Sequence, residues 1–397
     1  MTKTYDIINA GPRNRFMAAG VIVSNSARGL QTQNFPRPSK NADIALNMQL
    51  LTEGDAEWVE LMAGPPLSVI ADTLRPMIQA EPGSVLMARD LSQIEARVAR
   101  WLSGDEKGLD AFRAYDAGTG PDVYITAAAG IYNVPPSAIS KDDPRRQVGK
   151  VADLALGFAG GAVALAKMSK LYRVDLAPLY DSLMGLIDAD MLGTVDWMWN
   201  KFGRGAGMSE RSYYAAEIIK QRWRAANPLE VRFWKDVEDA AINAVIHTGQ
   251  VYQAGPRIRF RKTGSFLRAA LPSGRSMWFP FPRIESSARA NGGAKRSLNV
   301  MGVDGLTNKW VEYGMYGGSI VQNLVQGTAR DVMAEALVRQ EKAGYHPVLT
   351  IHDESVAEVK EGFGSEAEFA RLFIESPEWA VGLPISSDGW VGKEYRK

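Results

Sequence analysis

The sequence contains no cysteine in its 397 residues. This absence excludes disulfides, zinc–thiolate centres and cysteine nucleophiles from the chain, and it is typical of a reducing compartment. The sequence also has no apolar run long enough to span a membrane, no secretory signal peptide and no internal repeat. We therefore expect a soluble intracellular protein, and its length allows two or three domains with a sizeable core.

The chain has little net charge, with a formal value of +1, so its overall composition indicates no nucleic-acid partner. One tract is different, because residues 256–300 contain ten Lys or Arg against one acid, Glu285. The cations are Arg257, Arg259, Arg261, Lys262, Arg268, Arg275, Arg283, Arg289, Lys295 and Arg296. They are interleaved with Phe260, Phe266 and Trp278, a composition that suits a phosphate backbone and that a solvated basic face would share.

Two stretches place acidic residues at the ends of predicted strands. Residues 85–102 change from an apolar run to an amphipathic one at Asp90, which predicts a strand that ends in a carboxylate and leads into a helix. Residues 348–359 have two β-prone runs around an acidic His-Asp-Glu turn at 352–354. Either stretch alone could be a solvated turn or a helix cap. Together, two strands that each deliver a carboxylate to one point would form a Mg²⁺ site, completed by water and substrate phosphate.

A basic stripe is predicted on a helix within residues 143–161. Arg146, Lys150, Leu154 and Phe158 are four residues apart, a spacing that places them on one helical face. The two cations could hold a triphosphate while the aromatic ring packs against a base. An ordinary amphipathic helix with a basic end would show the same spacing.

Helical spacing of apolar residues predicts that much of the remaining chain is helical. Residues 42–79 should form two or three helices, residues 109–131 are helical again, and residues 165–249 are helical almost throughout. The last stretch contains a helix pair broken at Pro228, and we assign the tryptophans of this pair to the core.

A tight turn at residues 271–275 precedes a long helix predicted for residues 319–344. Gln322, Gln326 and Arg330 lie on one polar stripe of this helix. The stripe could contact minor-groove acceptors or a primer strand, and it could equally be a solvated face.

The first 25 residues do not resemble an ordinary leader sequence. Short β-prone runs at 4–8 and 21–23 flank a turn at residues 11–12, as in a plain hairpin. The segment also resembles the C-terminal splicing block of an intein, and the matching residues are Tyr5, Asp6, Phe16, Gly20, Asn25 and Ser26. The intein family commonly has His where this chain has Asn14 and Ser24.

Four further motifs, in this order, resemble those of family A DNA polymerases, especially phage members. They are RDLSQIEAR (89–97) as the first palm motif, the pair Arg146 and Lys150 with the following LALGFAGG as the fingers-helix motif, QNLVQGTARD (322–331) as the primer-side helix, and HDE (352–354) as the last palm motif. The resemblance covers about residues 26–397. It implies an α+β fold in which a palm sheet is interrupted by a helical fingers subdomain, preceded by the small β-rich intein segment.

The resemblance implies a two-metal catalytic site. Asp90 and Asp353 would hold two Mg²⁺ ions, with Mn²⁺ as a substitute, and the Leu91 carbonyl would help as a ligand. Glu354 would support that site. The chain departs from the family at three positions, with Leu91 for Tyr, Leu154 for Phe or Tyr, and Phe158 for Tyr.

The resemblance also implies substrate and DNA contacts. Residues expected at the dNTP are Arg146, Lys150, Leu154, Phe158, Gln93, Glu95 and His352, and Glu95 stands where the family has its gate against a ribose 2′-OH. Residues expected at primer or template are Arg97, Gln322, Gln326, Arg28, Gln33, Asn34 and Arg275.

The implied function is template-directed DNA synthesis from dNTPs on primer-template DNA, in the cytoplasm of a phage-infected cell. The expected organisation is an intein segment at 1–25, palm at 26–105, fingers at 106–255 and palm again at 256–397. The family's thumb and exonuclease would then lie on a separate polypeptide that carries the N-terminal intein half and is joined by trans-splicing.

Two alternative functions remain at this point. A single-subunit RNA polymerase shares the metal carboxylates, although Glu95 and the Glu354 that follows Asp353 match the DNA enzymes. A nucleic-acid-binding half with no activity until it is joined to its partner would have the same motifs.

Overall fold

The computed structural model describes residues 15–18, 21–24, 35–39, 41–288, 294–304 and 307–395. The chain divides into two compact units. The first unit consists of Met1–Ile94, Arg330–Glu378 and Ile385–Lys397, and the second consists of Glu95–Ala329 and Trp379–Pro384. Helices and antiparallel sheets occur together, so the predicted mixed fold class is confirmed.

The elements of the N-terminal half are, in chain order, β1 (Arg15–Ala18), β2 (Val21–Ser24), α1 (Ile44–Glu53), α2 (Ala56–Ala63), α3 (Pro66–Thr73), β3 (Ser84–Leu91), α4 (Ile94–Ser103), α5 (Glu106–Asp116), α6 (Val123–Tyr132), α7 (Pro144–Leu156), α8 (Ala162–Leu171), α9 (Tyr180–Met184) and α10 (Ala189–Phe202). The elements that follow are α11 (Glu210–Ala226), α12 (Pro228–Ile246), β4 (Val251–Ala254), β5 (Ile258–Thr263), β6 (Phe266–Ala270), β7 (Ser276–Pro280), β8 (Arg283–Ala288), β9 (Ala294–Val303), β10 (Trp310–Met315), α13 (Gly317–Lys342), β11 (Pro347–Ile351), β12 (Glu354–Lys360), α14 (Glu366–Ile374) and β13 (Ser387–Gly392).

The first unit is built on a four-stranded antiparallel sheet in the order β11-β12-β3-β13. Its two central strands, β3 and β12, are largely buried because both faces carry apolar side chains. On one face Met87, Ala357 and Phe369 belong to a buried cluster, and on the other Leu86 and Val356 belong to a second. The predicted strand-to-helix transition after Asp90 and the predicted hairpin around residues 352–354 are both confirmed.

Three short helices precede this sheet, as the sequence predicted for residues 42–79. Asp43 and Asp55 cap α1 and α2, because their carboxylates accept backbone N–H groups that have no partner within the helix. The N-terminal strands β1 and β2 pair as a hairpin. The predicted strand at 4–8 and turn at 11–12 lie outside the described residues.

The second unit contains the helices α5–α12, which confirms the helical prediction for residues 165–249. The stretch 109–131, predicted to be helical, contains most of the helices α5 and α6. Pro228 starts α12, where its missing N–H costs nothing, and so it separates α11 from α12. Trp223 and Trp234 are buried and stack with ring centroids 6.1 Å apart, which confirms that both are core residues.

Two small antiparallel sheets complete the second unit, in the orders β4-β5-β6-β7 and β10-β9-β8. The predicted tight turn at 271–275 joins β6 to β7. The long helix predicted for 319–344 is α13. No helix within the described residues is both long and apolar enough to cross a bilayer.

The basic helix α7 packs closely on α6. Asp143 caps α7 by accepting the Arg145 backbone N–H, and Pro144 occupies the first turn. The close approach depends on Gly149, since a Cβ there would lie 2.2 Å from the carbonyl oxygen of Tyr124. The helices cannot keep this spacing with a larger residue at that point.

Gly149→Ala should therefore destabilise the protein, because a methyl group would force α7 away from α6. We expect the free energy of unfolding to fall by about 1–3 kcal/mol, measured by urea denaturation of the full chain. Gly193→Ala in α10 is the matched control, since no described atom lies within 4 Å of a Cβ there. The control should raise the free energy of unfolding by up to about 1 kcal/mol through helix propensity. Equal effects of the two substitutions would contradict the close-packing argument.

Candidate active site

The carboxylate of Asp90 lies near the end of β3, a central strand of the first unit's sheet. The strand register pairs Asp90 with Glu354 of β12 on one side and with Asp388 of β13 on the other. Directly opposed residues project to the same face of a sheet. The register therefore brings the acidic residues of two distant motifs, and a third carboxylate, to one face.

The turn between β11 and β12 consists of His352 and Asp353. The backbone of His352 has a φ of +54°, in the left-handed region that non-glycine residues seldom adopt. The backbone N–H of Leu91 donates to the carbonyl oxygen of Asp353 at 3.0 Å. This hydrogen bond extends the β3–β12 ladder into the turn, so the backbone of Asp353 is fixed beside the strand that carries Asp90.

The carboxylate of Glu354 is buried, with 2% of the residue exposed. The hydroxyl of Tyr395 donates to its Oε2 at 2.5 Å. Burial, together with this hydrogen bond, raises the pKa of Tyr395 above its ordinary value, so the phenol remains a donor. Tyr395 was not predicted as a site residue, because it follows Glu354 by 41 residues and no local pattern connects the two.

Two neighbours of Asp90 on the strand-to-helix connection are also fixed. The Ser92 hydroxyl donates to Oδ2 of Asp388 at 3.0 Å. Gln93 has a φ of +49°, and its buried Oε1 has no hydrogen-bond partner among the described residues. Strained backbone of this kind is often found at functional sites. Gln93 follows Asp90 by three residues, and His352 directly precedes Asp353. Both were predicted to contact substrate, and both have a left-handed backbone conformation.

The donor set of this face is composed of carboxylate oxygens, the ligands that Mg²⁺ prefers. Among the described residues no group of three or more His, Asp or Glu side chains is arranged to hold a metal ion. A site with one or two protein carboxylates, completed by water and substrate, is nevertheless usual for Mg²⁺. Asp90 and Asp353 are the two carboxylates predicted for such a site, and their roles and that of the Leu91 carbonyl stay predictions.

The predicted triphosphate residues lie in the second unit, on α7. Arg146 forms an ion pair with the buried carboxylate of Asp122 and lies over the Tyr124 ring, 5.6 Å from its centroid. The Lys150 ammonium lies 5.7 Å from the centroid of Tyr124 and 4.9 Å from that of Tyr172. Both cations are partly exposed, so a phosphate would compete with Asp122 for Arg146.

Arg146, Lys150, Leu154 and Phe158 were predicted to lie on one helix, and this prediction is wrong for Phe158. Helix α7 ends at Leu156, and Gly157 caps it. Ala159 has a φ of +60°, which turns the chain away from the helical path. Phe158 therefore follows the helix and is half-buried, while Leu154 remains on the helix and is exposed. The spacing could not reveal the change of backbone conformation after Gly157.

A buried ionic cluster anchors the middle of α7. Arg100 of α4 lies with its Nε 3.2 Å from Glu230 of α12 and a terminal nitrogen 3.7 Å from Asp153 of α7. The indole of Trp223 donates to Asp153 at 3.4 Å. Burial raises the pKa of Glu230 to about 7 and that of Asp153 above its ordinary value. The cluster connects the helix of Arg146 and Lys150 to two other helices.

The predicted sugar gate and the primer-side helix come together in the second unit. Gln326 of α13 donates from Nε2 to the exposed Glu95 carboxylate at 3.2 Å. Gln322 and Gln326 are exposed, so this part of the polar stripe of α13 faces solvent, and Arg330, which belongs to the first unit, is exposed as well. The stripe is therefore accessible to a ligand, and Glu95 is held by one of its members.

Arg97, a predicted DNA contact, is fully buried in the structure. Its terminal nitrogens donate to both oxygens of Asp116 at 2.6 and 2.7 Å, and its guanidinium lies 4.4 Å from the Phe112 centroid. Contact with DNA stays a prediction, and it would require Arg97 to leave Asp116. Arg275 is half-buried and donates to the Gly327 carbonyl at 2.7 Å.

The remaining predicted site residues lie outside the described part of the chain. They are Asn25, Ser26, Arg28, Gln33 and Asn34. Their roles stay predictions.

Comparisons with known proteins agree with the polymerase resemblance. No protein-family model matches the chain. The chain is 34% identical over 373 residues to the DNA polymerase of Bacillus phage SP02, a match that covers 94% of the chain and 50% of that relative. It is 22% identical over 337 residues to the thermostable DNA polymerase I of Thermus filiformis, covering 83% of the chain and 29% of the relative. The chain thus spans half or less of the length of each of these two curated relatives.

One solved structure that resembles the chain is the POL domain of Pol1 from M. smegmatis, in complex with DNA primer-template and dNTP. The TM-score is 0.45 at 15% identity, and the match covers 82% of the chain and 42% of that structure. The sequence similarities to DNA polymerases of a phage and of Thermus support the family A resemblance that the four motifs indicate.

Tyr395→Phe should destabilise the first unit, because it removes a donor from the buried Glu354 carboxylate. We expect the free energy of unfolding to fall by about 1–3 kcal/mol, measured by chemical denaturation. Tyr316→Phe is the matched control, since that side chain is 53% exposed and should have almost no effect. If the two variants are equally stable, the hydrogen bond from Tyr395 to Glu354 contributes nothing to the free energy of unfolding.

Proposed function

We propose that this chain is the palm and fingers part of a family A DNA polymerase and catalyses template-directed addition of deoxynucleotides to a primer. The observation that carries the proposal is the register of the first unit's sheet, which places Asp90 of the first palm motif opposite Glu354 of the last. The Leu91–Asp353 hydrogen bond supports it, because it places the turn aspartate beside the same strand. Similarity to a phage DNA polymerase along nearly the whole chain supports it further.

In this proposal the acidic face of the first unit holds two Mg²⁺ ions. When bound, the ions would neutralise the charge on the attacking and leaving oxygens of the phosphoryl transfer. Asp90 and Asp353 would be their carboxylate ligands. Glu354 cannot move freely, since it is buried and accepts a hydrogen bond from Tyr395. Its fixed negative charge would orient the site without a cost of reorganisation.

In the second unit, α7 and α4 would select the nucleotide. Arg146 and Lys150 would bind the triphosphate through charge-assisted hydrogen bonds. Glu95 would exclude a ribose 2′-OH, and its hydrogen bond from Gln326 limits the freedom of its carboxylate to move aside. The exposed stripe of Gln322 and Gln326 would contact the primer strand. Ribonucleotide use by the wild-type chain would favour the RNA polymerase alternative.

Asp90→Ala and Asp353→Ala should each abolish nucleotide addition while leaving DNA binding intact. Loss of one metal carboxylate leaves charge uncompensated in the transition state, and we expect less than about 1% of the wild-type rate. The measurement is single-nucleotide extension of a labelled primer-template, with binding followed by anisotropy. Asp110→Ala, at a 71% exposed carboxylate in the second unit, is the control and should retain activity. More than a few per cent of the rate in either palm variant would overturn the assignment.

A second proposal is supported by the match of the N-terminal segment to an intein C-terminal splicing block, which includes Asn25 and Ser26. We propose that a separate polypeptide, which carries the N-terminal intein half and the polymerase thumb, is joined at Ser26 by protein trans-splicing. The Ser26 hydroxyl would attack the carbonyl carbon that joins the upstream polypeptide to the partner's intein half, so that an ester forms at Ser26 and the bond to the partner's intein half breaks. Asn25 would then cyclise through its side-chain amide and cut the chain after itself, and the ester would rearrange to a peptide bond. Strand β2 ends at Ser24, directly before this junction.

Mixing the chain with its cognate partner should yield a larger ligated polymerase and a released fragment of residues 1–25. Asn25→Ala should block release of the fragment, and Ser26→Ala should block ligation, as judged by mass spectrometry. Lys3→Ala serves as the control within the segment, since Lys3 is neither a reacting group nor a position of the intein pattern. Ligation by the Ser26→Ala protein would contradict the assignment of Ser26 as the acyl acceptor, and a wild-type mixture that does not ligate would contradict the splicing proposal.

A further inference from the structure

The outer face of the β4–β7 sheet combines arginines with exposed aromatic rings. Its members are Arg259, Arg261, Arg268, Phe266 and Trp278, which we call the arginine–tryptophan face. The register places Arg261 of β5 opposite Arg268 of β6, and Arg268 opposite Trp278 of β7. Opposed residues share a face, so these three side chains form one row across three strands.

The opposite face of this sheet forms part of the core of the second unit. Ile258, Phe260, Leu267 and Ala269 are fully buried there, and α12 packs against the same strands. Phe260 is therefore a core residue, although the sequence placed it among the aromatics of the basic tract. The alternation of buried and exposed residues leaves the arginine–tryptophan face on the solvent side.

The exposed rings are large and partly preorganised. Trp278 is 54% exposed and Phe266 is 40% exposed, and their rings meet edge to face with centroids 5.9 Å apart. The Arg268 guanidinium lies 5.7 Å from the Trp278 centroid and donates to the Ser276 hydroxyl at 2.6 Å. A flat ring held beside a cation in this way can stack on a base while the cation contacts the adjoining phosphate.

The charge of this face has one sign. Residues 251–284 contain seven Lys or Arg and no Asp or Glu. Arg259 and Arg261 are exposed, and neither forms an ion pair within the described part of the chain. A sheet with a purely structural role does not require a row of cations in a stretch of sequence that contains no acid. Such a row attracts a polyanion, and the interleaved rings favour one with accessible bases.

We propose that the arginine–tryptophan face binds single-stranded DNA. Bases stack on Trp278 and Phe266, and the backbone phosphates contact Arg259, Arg261 and Arg268. The surface lies entirely in the second unit and uses none of the residues assigned to metal, triphosphate or sugar selection. Its binding therefore does not depend on the proposed polymerase activity.

The test is the affinity of the full chain for a fluorescent oligo(dT), measured by anisotropy without dNTP or metal. Trp278→Leu should weaken binding about 5- to 150-fold, since one base stack contributes about 1–3 kcal/mol. Trp197→Leu is the matched control and should leave the affinity unchanged. Trp197 is also 54% exposed and has the Lys201 ammonium 4.5 Å from its centroid, but it lies on α10, outside the sheet.

The contribution of the arginines is tested by the salt dependence of oligo(dT) affinity. The position of the binding site is determined by cross-linking. Arg261→Ala should reduce the slope of log affinity against log salt by about 0.7, the value for one contact to a single strand. An oligonucleotide with 5-iodouracil, cross-linked by ultraviolet light, should modify a peptide that contains Phe266 or Trp278. The affinity assay contains no dNTP or metal and so requires no turnover, which separates failure of this proposal from failure of the catalytic one.

Three results would overturn the proposal. One is an unchanged oligo(dT) affinity in Trp278→Leu with an unchanged salt slope in Arg261→Ala. Another is equal loss of affinity in Trp197→Leu. The third is tighter binding of a blunt duplex that is insensitive to Trp278→Leu, because the face would then bind phosphates alone. Thermal unfolding of each variant confirms that the fold is retained.

Discussion

The antiparallel pairing of β3 with β12 is the interaction on which the proposed chemistry depends. The ladder brings residues more than 260 positions apart into register, and it does so with backbone hydrogen bonds that do not depend on the acidic side chains. A shift of one residue would move Asp90 and Glu354 to opposite faces. The apolar clusters on both sides of the sheet resist that shift, because it would expose their side chains. Hydrophobic burial thus determines where the carboxylates lie.

The second unit carries the predicted substrate residues on helices, with Arg146 and Lys150 on α7 and the exposed Glu95 on α4. Helix α7 is fixed to α6 at Gly149 and to α4 and α12 through Arg100, Asp153 and Glu230. The buried carboxylates outnumber the buried guanidinium in this cluster, which is consistent with the raised pKa of Glu230. A buried ionic network of this kind is weak evidence for stability, because desolvation of its charges offsets their attraction. It leaves Arg146 and Lys150 partly exposed on a well-anchored helix.

Local patterns in the sequence were sufficient for part of this account. The strand that ends at Asp90 and the turn at 352–354 were predictable because hydrophobic alternation and turn residues are local signals. The hydrogen bond from Tyr395 to Glu354 was not, since strand β13 brings them together across a long stretch of chain. Composition could not separate the buried Phe260 from the exposed Trp278 either, because only the strand register distinguishes the two faces.

The most direct test of the central claim is Mn²⁺ binding to the full chain, followed by electron paramagnetic resonance as free Mn²⁺ disappears. Mn²⁺ reports on an all-oxygen carboxylate site without requiring turnover. With primer-template DNA and dNTP present, and after subtraction of the Mn²⁺ that they bind without protein, the wild type should bind Mn²⁺ and Asp90→Asn should lose that binding, while Asp110→Asn should keep it. Equal Mn²⁺ binding by the wild type and Asp90→Asn would contradict the assignment of this sheet face as the metal site.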